Sequence, residues 1–539
     1  MALFNIFPES WGPSLLITLI ILMPAFHTLS KRKLNPQEPP IIAPTIPVVG
    51  HLLGMALLGG RYIKNLGIRN RNLPIFTLPV PRSRIYVVTD PSLAAAVQRA
   101  SKVLSFTPII PDVTERVLGL DAATMEITRK NLDPAPGEER GFLADIQDMV
   151  YAWLGPGSYL EELSLAAAHE MRDEISAITP DPAKSVDLLS WVRHLVTVST
   201  AKYLYGPQNP IAVDPSLETS FWDFDHGLGS LLMNILPSIT ARKAHLGREK
   251  LSAALLVYLE AGLHKTGSSI VQRRVEIALE HGWTLPAVAR EELSFLFAGI
   301  VNATTSTFWI LAYLYADPLL LSYVREEVQA ILETSEPDSA SGKSKLHLTD
   351  LRDNCPVLVA VYRECLRLGS DTYSTRLVKE DHMLANQYFL AKNSVVQIAG
   401  GVIHADGRIW GEDVDEFNPK RFLAKTKEGD VKLEAEVRGA AKPKQNNSFH
   451  PAAFRAFGGG KTLCPGRHFA MNEILAFVAL VVLQFDMKPA RGGDKIEVPR
   501  KNDGVLPVHI LEPVRPVEVL ISRRKFSVAQ KAQNAEFLM

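Results

Sequence analysis

Three cysteines in 539 residues are too few for a disulfide framework, so the chain is not a disulfide-stapled secreted scaffold, and any special cysteine must act as a lone thiol or thiolate. Charge of one sign is not in excess. The 58 Lys and Arg balance 58 Asp and Glu, which removes the case for binding nucleic acid or another polyanion through a broad basic face. No G-x-G-x-x-G sits in a strand-to-helix setting, so the chain carries no dinucleotide-binding or flavin module of its own. Internal repeats and a Gly/Ser-rich linker are also missing, and one large body is expected rather than a string of domains.

What is present begins with an apolar run. Trp11 to Leu29 is almost uncharged and is followed at once by Lys31, Arg32 and Lys33, a one-sided basic flank. Residues 1–33 are therefore expected to form a membrane anchor that spans once and leaves the body of the chain in the cytosol. A cleaved signal peptide is disfavoured by Glu9 and by the lack of Lys or Arg before the run. An interfacial helix is disfavoured by the absence of a polar stripe. Residues 34–50 contain Pro36, Pro39, Pro40, Pro44 and Pro47, which fix φ and oppose helix, so a stiff extended hinge is expected there, with a single domain over 51–539.

Within that domain, Pro74 to Ser92 has short β-rich runs around a Pro/Arg/Ser turn and predicts a small hairpin. Glu291–Asp317 and Pro318–Leu332 carry apolar residues at helical spacing. The expected class is mainly α with a minor β region. Polar stretches at 333–345 and 424–448 predict surface loops.

The most informative residues are RAFGGGKTLCPGRHFA, Arg455 to Ala470. Glycines and an aromatic precede Cys464, and Pro465 and Gly466 open a new helix. Backbone N–H groups of such a loop, at a helix N-terminus, can point at a sulfur and stabilise its negative charge. Nothing nearby offers a second cysteine or an H-x-x-x-H spacing, which argues against zinc, while a buried structural cysteine or a reactive nucleophile stays open.

Phe457, Gly460, Cys464 and Gly466 match F-x-x-G-x-x-x-C-x-G, and in this the chain resembles the cytochromes P-450. The resemblance implies the cytochrome P-450 fold behind an N-terminal transmembrane helix and a heme b (iron protoporphyrin IX) cofactor. It implies Cys464 as axial ligand of the heme iron, with Phe457, Gly460 and Gly466 packed around the cofactor. A thiolate ligand pushes electron density onto iron and favours O–O cleavage. The family's E-x-x-R is matched by Glu364 and Arg367, followed by FNPKRF, which implies a structural triad of Glu364, Arg367 and Arg421. E-x-x-R also occurs at Glu126/Arg129, Glu497/Arg500 and Glu512/Arg515, so order along the chain makes the assignment. Arg376 falls where a strand after the triad helix often supplies a cation for a heme carboxylate, and His404 falls where a structural histidine is common.

On the expected oxygen side, Ala298 and Gly299 are small enough to leave a gap. The family's acid and threonine are replaced there by Val301 and Asn302. Asn302 is the catalytic candidate, because a carboxamide can hydrogen-bond water or dioxygen although it cannot titrate. Two more departures are Thr462, where a basic residue is usual two before the cysteine, and the lack of W-x-x-x-R. The Asn302 variant and CPGRHFA resemble the branch holding sterol and bile-acid hydroxylases and prostacyclin synthase.

The resemblance implies a microsomal, fungal-type monooxygenase of the endoplasmic reticulum membrane that oxidises a lipophilic small molecule of terpenoid, steroid or polyketide type in specialised metabolism. Its implied partners are NADPH-cytochrome P-450 reductase, cytochrome b5 as a further candidate, and membrane lipid, with no nucleic acid. The alternatives are a heme-thiolate isomerase or dehydratase needing no external electrons, and a non-catalytic heme-binding protein.

Overall fold

A computed structural model describes residues 35–47, 49–334, 344–423, 446, 448–525 and 527–539. The expected anchor over 1–33, and most of the two polar stretches at 333–345 and 424–448, lie outside the described residues.

The hairpin is present as β1 (Ile75–Val80) and β2 (Ser83–Val88), paired antiparallel, with Arg82 turning the chain at a φ of 62°. With β3 (Leu104–Ser105), β4 (Tyr373–Val378) and β5 (Val395–Ala399) it forms one sheet in the order β1-β2-β5-β4-β3. Only the β2–β5 pair is parallel. The described part of the proline-rich segment is extended only in part, with turns or bends at 36–38 and 45–47 and a helix from Gly50, and it is docked on this sheet rather than standing free as a hinge. Thr77 N–H donates to Pro40 O at 2.8 Å, Ile42 N–H donates to Thr77 O at 3.0 Å, and Glu38 pairs with Arg84 at 3.2 Å. An edge strand with unpaired backbone groups is a hazard, and this segment covers that of β1.

Six helices build the rest of the frame around the site. Helix α1 (Pro91–Arg99) starts at Asp90, whose carboxylate accepts from Ser92 N–H and Leu93 N–H, with Pro91 at the position that needs no donor. Helix α2 (Leu188–Tyr205) packs along α4 (Leu285–Ala316), which runs unbroken for 32 residues, and α3 (Ser216–His226) reaches α4 through Phe224, whose ring centroid lies 6.0 Å from that of Phe297. Helix α5 (Pro356–Gly369) and helix α6 (Arg467–Gln484) are apolar enough to be buried almost all round. Phe469 and every residue from Asn472 to Gln484 are buried in α6, and each fully buried Leu, Val or Phe there contributes about 1.5–3 kcal/mol of transfer free energy. By length and hydropathy α4 and α6 could cross a membrane, but both are mostly buried inside the protein and form its core.

The start of α5 shows how tightly the core is tied. Both carboxylate oxygens of buried Glu327 accept from the free N–H groups of Val357 (2.9 Å) and Leu358 (3.1 Å). Burial pushes the Glu327 carboxyl up to about 8, against the opposing effect of these two bonds. Replacing Glu327 with Ala strands two buried donors, so a loss of about 2–4 kcal/mol is expected, with Glu327→Gln losing less. Thermal unfolding of the three proteins measures this.

Candidate functional site

Glu364 and Arg367 lie three apart on α5 and are both buried, and their side chains are joined by two bonds of 2.8 Å. Arg421 arrives from the Pro419–Phe422 turn and donates through Nε to the same carboxylate at 2.9 Å, as does Asn418 N–H at 3.0 Å. Glu364 thus accepts four bonds from three partners with no exposed surface. A carboxylate at that depth is tolerated because both oxygens accept bonds, three at Oε1 and one at Oε2, and two of the donors' side chains are cationic.

The network continues toward Cys464. Arg367 Nη1 donates to His404 O at 2.8 Å. His404 is buried, its Nδ1 lies 2.9 Å from Ser370 O, and its Nε2 accepts from Arg455 N–H at 2.8 Å. Burial holds the imidazole far below its ordinary range, at about 3, so it is neutral, with its proton on Nδ1 facing a carbonyl. His404 therefore bridges the triad to the first residue of the cysteine loop.

That loop folds back on itself. Cys464 N–H donates to Phe457 O at 2.8 Å, and Gly458 and Gly460 adopt left-handed φ values of 75° and 63° that a side chain would resist. Tyr151 O–H is placed to donate to Leu463 O (2.6 Å) and Lys461 O (2.9 Å). Burial pushes the Cys464 thiol up, while the Gly466 N–H directed at the sulfur and the Arg467 guanidinium pull the other way. Cys464, Phe457, Pro465 and Gly466 are partly exposed, as is most of the loop, in which only Arg455 and Gly459 are buried.

Arg376 lies on β4, where the two-residue alternation sends Ser374 and Arg376 to the same face. Arg376 is buried, and its Nη2 bonds Thr462 Oγ1 and reaches Gly459 O at 3.5 Å. Thr462, which stands where a basic residue was expected, thus orients a cation instead of being one. Sequence reading missed two neighbours. Arg455 is 2% exposed, donates through Nη2 to Ser374 Oγ at 3.0 Å, and leaves Nε unbonded. Gln98, near the end of α1, has a buried amide nitrogen with no partner. A basic residue inside the apolar-aromatic RAFGGG run was the one available signal.

On α4, Asn302 is the one exposed residue between Ile300 and Ala312, and Ala298, one turn earlier, is exposed as well. Residues four apart share a helix face, so an otherwise buried helix presents an open stripe through these two. Gly299 does not belong to it. A Cβ there would lie 3.2 Å from Thr200 Cγ2 and 3.6 Å from Leu204 Cδ1, so its smallness brings α2 and α4 together rather than leaving a gap for oxygen. Thr305 and Ser306 hydroxyls turn back to the carbonyls of Val301 and Asn302, and no bulge swaps a threonine into the Asn302 position.

Asn302 is also tied across the fold. Its Oδ1 accepts from Ile510 N–H at 3.1 Å, while Trp309 Nε1 donates to Leu511 O at 2.9 Å and Leu511 N–H donates to Gly369 O at 3.1 Å. The 509–512 segment is thereby wedged between α4 and the end of α5. Its His509 has Nδ1 2.9 Å from Ile510 O and Nε2 3.2 Å from Asp225 Oδ1 on α3. The ring thus faces a carbonyl at one nitrogen and a carboxylate at ion-pair distance from the other, a setting that favours its charged form. Burial alone would lower the His509 pKa, but Asp225, the Ile510 carbonyl and Glu512 together raise it. Asp225, His226 and Glu512 are close enough to hold a cation, yet Glu512 pairs with Arg193 and Asp225 with His509.

A cleft of about 550 Å³ lies on the other side of α5, lined by Lys64, Arg367, Asp371 and Lys501 among others. Asp371 pairs there with both lysines, at 3.0 and 2.8 Å, so the cleft's charges are spent on one another and Cys464 does not line it.

The residues around Cys464 fit a heme. They offer a partly exposed sulfur with an N–H aimed at it, an open stripe on α4, and two buried guanidinium groups with no carboxylate in ion-pair range among the described residues. For Asp225→Asn the expected cost is on the order of 3 kcal/mol at about pH 6. Because the folded His509 pKa is raised, the pair's stabilisation is full below the ordinary imidazole range and fades as pH rises through the raised value. The difference in stability between wild type and variant should therefore shrink with rising pH in denaturation measurements.

Comparison with known proteins gives a consistent set. The family described as Cytochrome P450 matches residues 269–512. The protein called cytochrome P450 monooxygenase nodJ, from Hypoxylon pulicicidum, is 31% identical over 514 residues, covering 95% of each chain. A cytochrome P450 monooxygenase of Gibberella zeae is 28% identical over 462 residues, 84% of this chain and 82% of that one. Cholesterol 7-alpha-monooxygenase of Cricetulus griseus is 25% identical over 308 residues, 56% of this chain and 57% of its own.

Proposed function

The chain belongs to the cytochrome P450 family, a heme-thiolate monooxygenase family, and from that premise we propose that Cys464 is the thiolate ligand of its heme iron and that the enzyme oxidises a lipophilic small molecule. The carrying observation is the loop itself, with Cys464 partly exposed and a Gly466 N–H directed at its sulfur. When bound, the heme supplies dioxygen activation with two electrons delivered one at a time. Everything else falls to side chains. Gly466 N–H spreads the sulfur's charge, Phe457 packs beside the cofactor, and Arg376 holds a carboxylate at its edge. The triad of Glu364, Arg367 and Arg421 fixes the loop through His404.

Asn302 is the proposed distal polar group. Its Oδ1 is committed to Ile510 N–H, which leaves the Nδ2 amide protons to bond water or dioxygen on the open stripe. Asn302 orders protons without releasing any, so the proton itself must come from water. Ala298 on the same face adds an apolar surface to that stripe, suited to a hydrocarbon skeleton.

A lipophilic substrate and a membrane setting agree with the outer surface. Leu57, Leu58, Met233, Ile235, Leu236, Ile239, Val505 and Leu506 are all exposed. Their segments are brought together, since Gly60 N–H bonds Val505 O at 2.9 Å and Leu506 Cβ lies 3.9 Å from where Gly229, four residues before Met233, would carry a Cβ. An apolar face of this kind marks a membrane or protein contact. We assign it to the cytosolic surface of the endoplasmic reticulum, beside the anchor at 1–33, where a membrane-bound NADPH-dependent reductase supplies electrons. The substrate class is a terpenoid, steroid or polyketide of specialised metabolism, in keeping with the sterol named for one relative and the fungal origin of others.

The missing acid/alcohol pair at Val301 and Asn302 favours one other reading, an isomerase or dehydratase that needs no external electrons. Labelled dioxygen separates the two. With reductase, NADPH and a panel of lipophilic substrates, a monooxygenase puts one labelled oxygen atom into product, and an isomerase turns over without NADPH. Asn302→Ala is expected to keep heme while lowering product per NADPH consumed by roughly tenfold. Unchanged coupling would remove Asn302 from the distal role. In a chain starting at residue 34, Leu236→Asp with Ile239→Asp is expected to cut sedimentation with phospholipid vesicles by at least about tenfold.

A further inference from the structure

Arg376 and Arg455 are both almost fully buried, 4% and 2% exposed, and no carboxylate pairs with either among the described residues. Their proximity is unfavourable. Burial and the charge of Arg376 together bring the Arg455 pKa down to about 10. Two buried like charges with no counter-ion are expensive unless an anion completes the site. The donors that would receive one are still open, since Arg455 Nε and Gln98 Nε2 are buried and unbonded. All of them meet around Gly459. A Cβ built there would lie 2.0 Å from Gln98 Nε2 and 2.7 Å from Arg455 Nη1, and Arg376 Nη2 reaches its carbonyl. The glycine is what allows the side chains to gather beside the cysteine loop.

We infer that Arg455, with Arg376 and the Gln98 amide, forms the anion site for the two propionate carboxylates of the heme. The assignment rests on the heme-thiolate reading above. It accounts for the two departures in the sequence at once. The cation absent at Thr462, and the one absent with W-x-x-x-R, are supplied by an arginine nine residues before Cys464 and one on β4, with Thr462 Oγ1 orienting the latter. Two cations then face two carboxylates, and the buried charge closes. Arg455 is held for this by its own backbone, whose N–H bonds His404 Nε2, so a side-chain substitution leaves that link to the triad intact.

The test is heme release from the ferric holoenzyme to excess apomyoglobin, for wild type, Arg455→Gln, Arg455→Lys and Gln98→Ala, with the ferrous carbon monoxide spectrum recorded for each. It is paired with uptake of heme or heme dimethyl ester by protein stripped of its cofactor. Arg455→Gln should keep the thiolate-type spectrum, release heme at least about tenfold faster, and lose the wild-type preference for free acid over diester. Arg455→Lys should recover part of both, and Gln98→Ala should show a smaller loss. Wild-type release and an unchanged preference, with the spectrum intact, would overturn the inference and make Arg455 a packing residue. If Arg455→Gln fails to fold, the Arg455→Lys and Gln98→Ala preferences decide in the same way. A wild-type spectrum without the thiolate signature would instead overturn the ligand assignment on which the inference rests.

Discussion

The structure around the site depends on one buried carboxylate. Glu364 has no exposed surface and is bonded by Arg367, Arg421 and Asn418 N–H, so it joins α5 to the 413–421 segment through charge-assisted bonds that no water can replace. From Arg367 the connection passes to His404 O, and from His404 Nε2 to Arg455 N–H at the head of the cysteine loop. A loop with two left-handed glycines would otherwise be the least determined part of the fold. Here its entry is fixed by a network whose members lose several kcal/mol if one partner is removed.

The distal side is organised differently. Helix α4 is continuous, and its polar feature is a carboxamide held by the backbone of a segment 208 residues away in sequence. That segment is in turn held by Trp309, Gly369 and the Asp225–His509 pair, so α3, α4 and α5 meet on one short stretch of chain. Asn302, the proposed distal group, is thus held by the same segment that ties these helices together. If Asn302 is the distal group, as proposed, its amide does not titrate, and pH acts there only through the His509 pair.

The cysteine loop, the Glu364–Arg367 pair and the hairpin at 74–92 were legible because each is a local pattern in which a few residues at fixed offsets carry the physics. The same holds for α4, whose apolar spacing at Glu291–Asp317 misses its first six residues and ends one residue beyond its last. Gly299 misled, since a small residue on a helix serves close helix packing as readily as an open cavity, and only the position of Thr200 decides. The docking of residues 39–42 on β1 was hidden because prolines fix φ but do not specify a partner. Arg455, Gln98 and the Asp225–His509 pair were out of reach, because their meaning comes from neighbours brought together by long-range folding and from the absence of counter-ions, neither of which leaves a spacing in the sequence.

The proposed chemistry depends on sulfur ligation by Cys464. The most direct measurement is the Soret band of the reduced protein under carbon monoxide, in wild type and in Cys464→Ser. A strongly red-shifted band in wild type that is lost in the variant is the result expected of a thiolate ligand supplied by this residue. A band at the position typical of histidine ligation in well-folded wild type, or a red-shifted band that survives in Cys464→Ser, would contradict it.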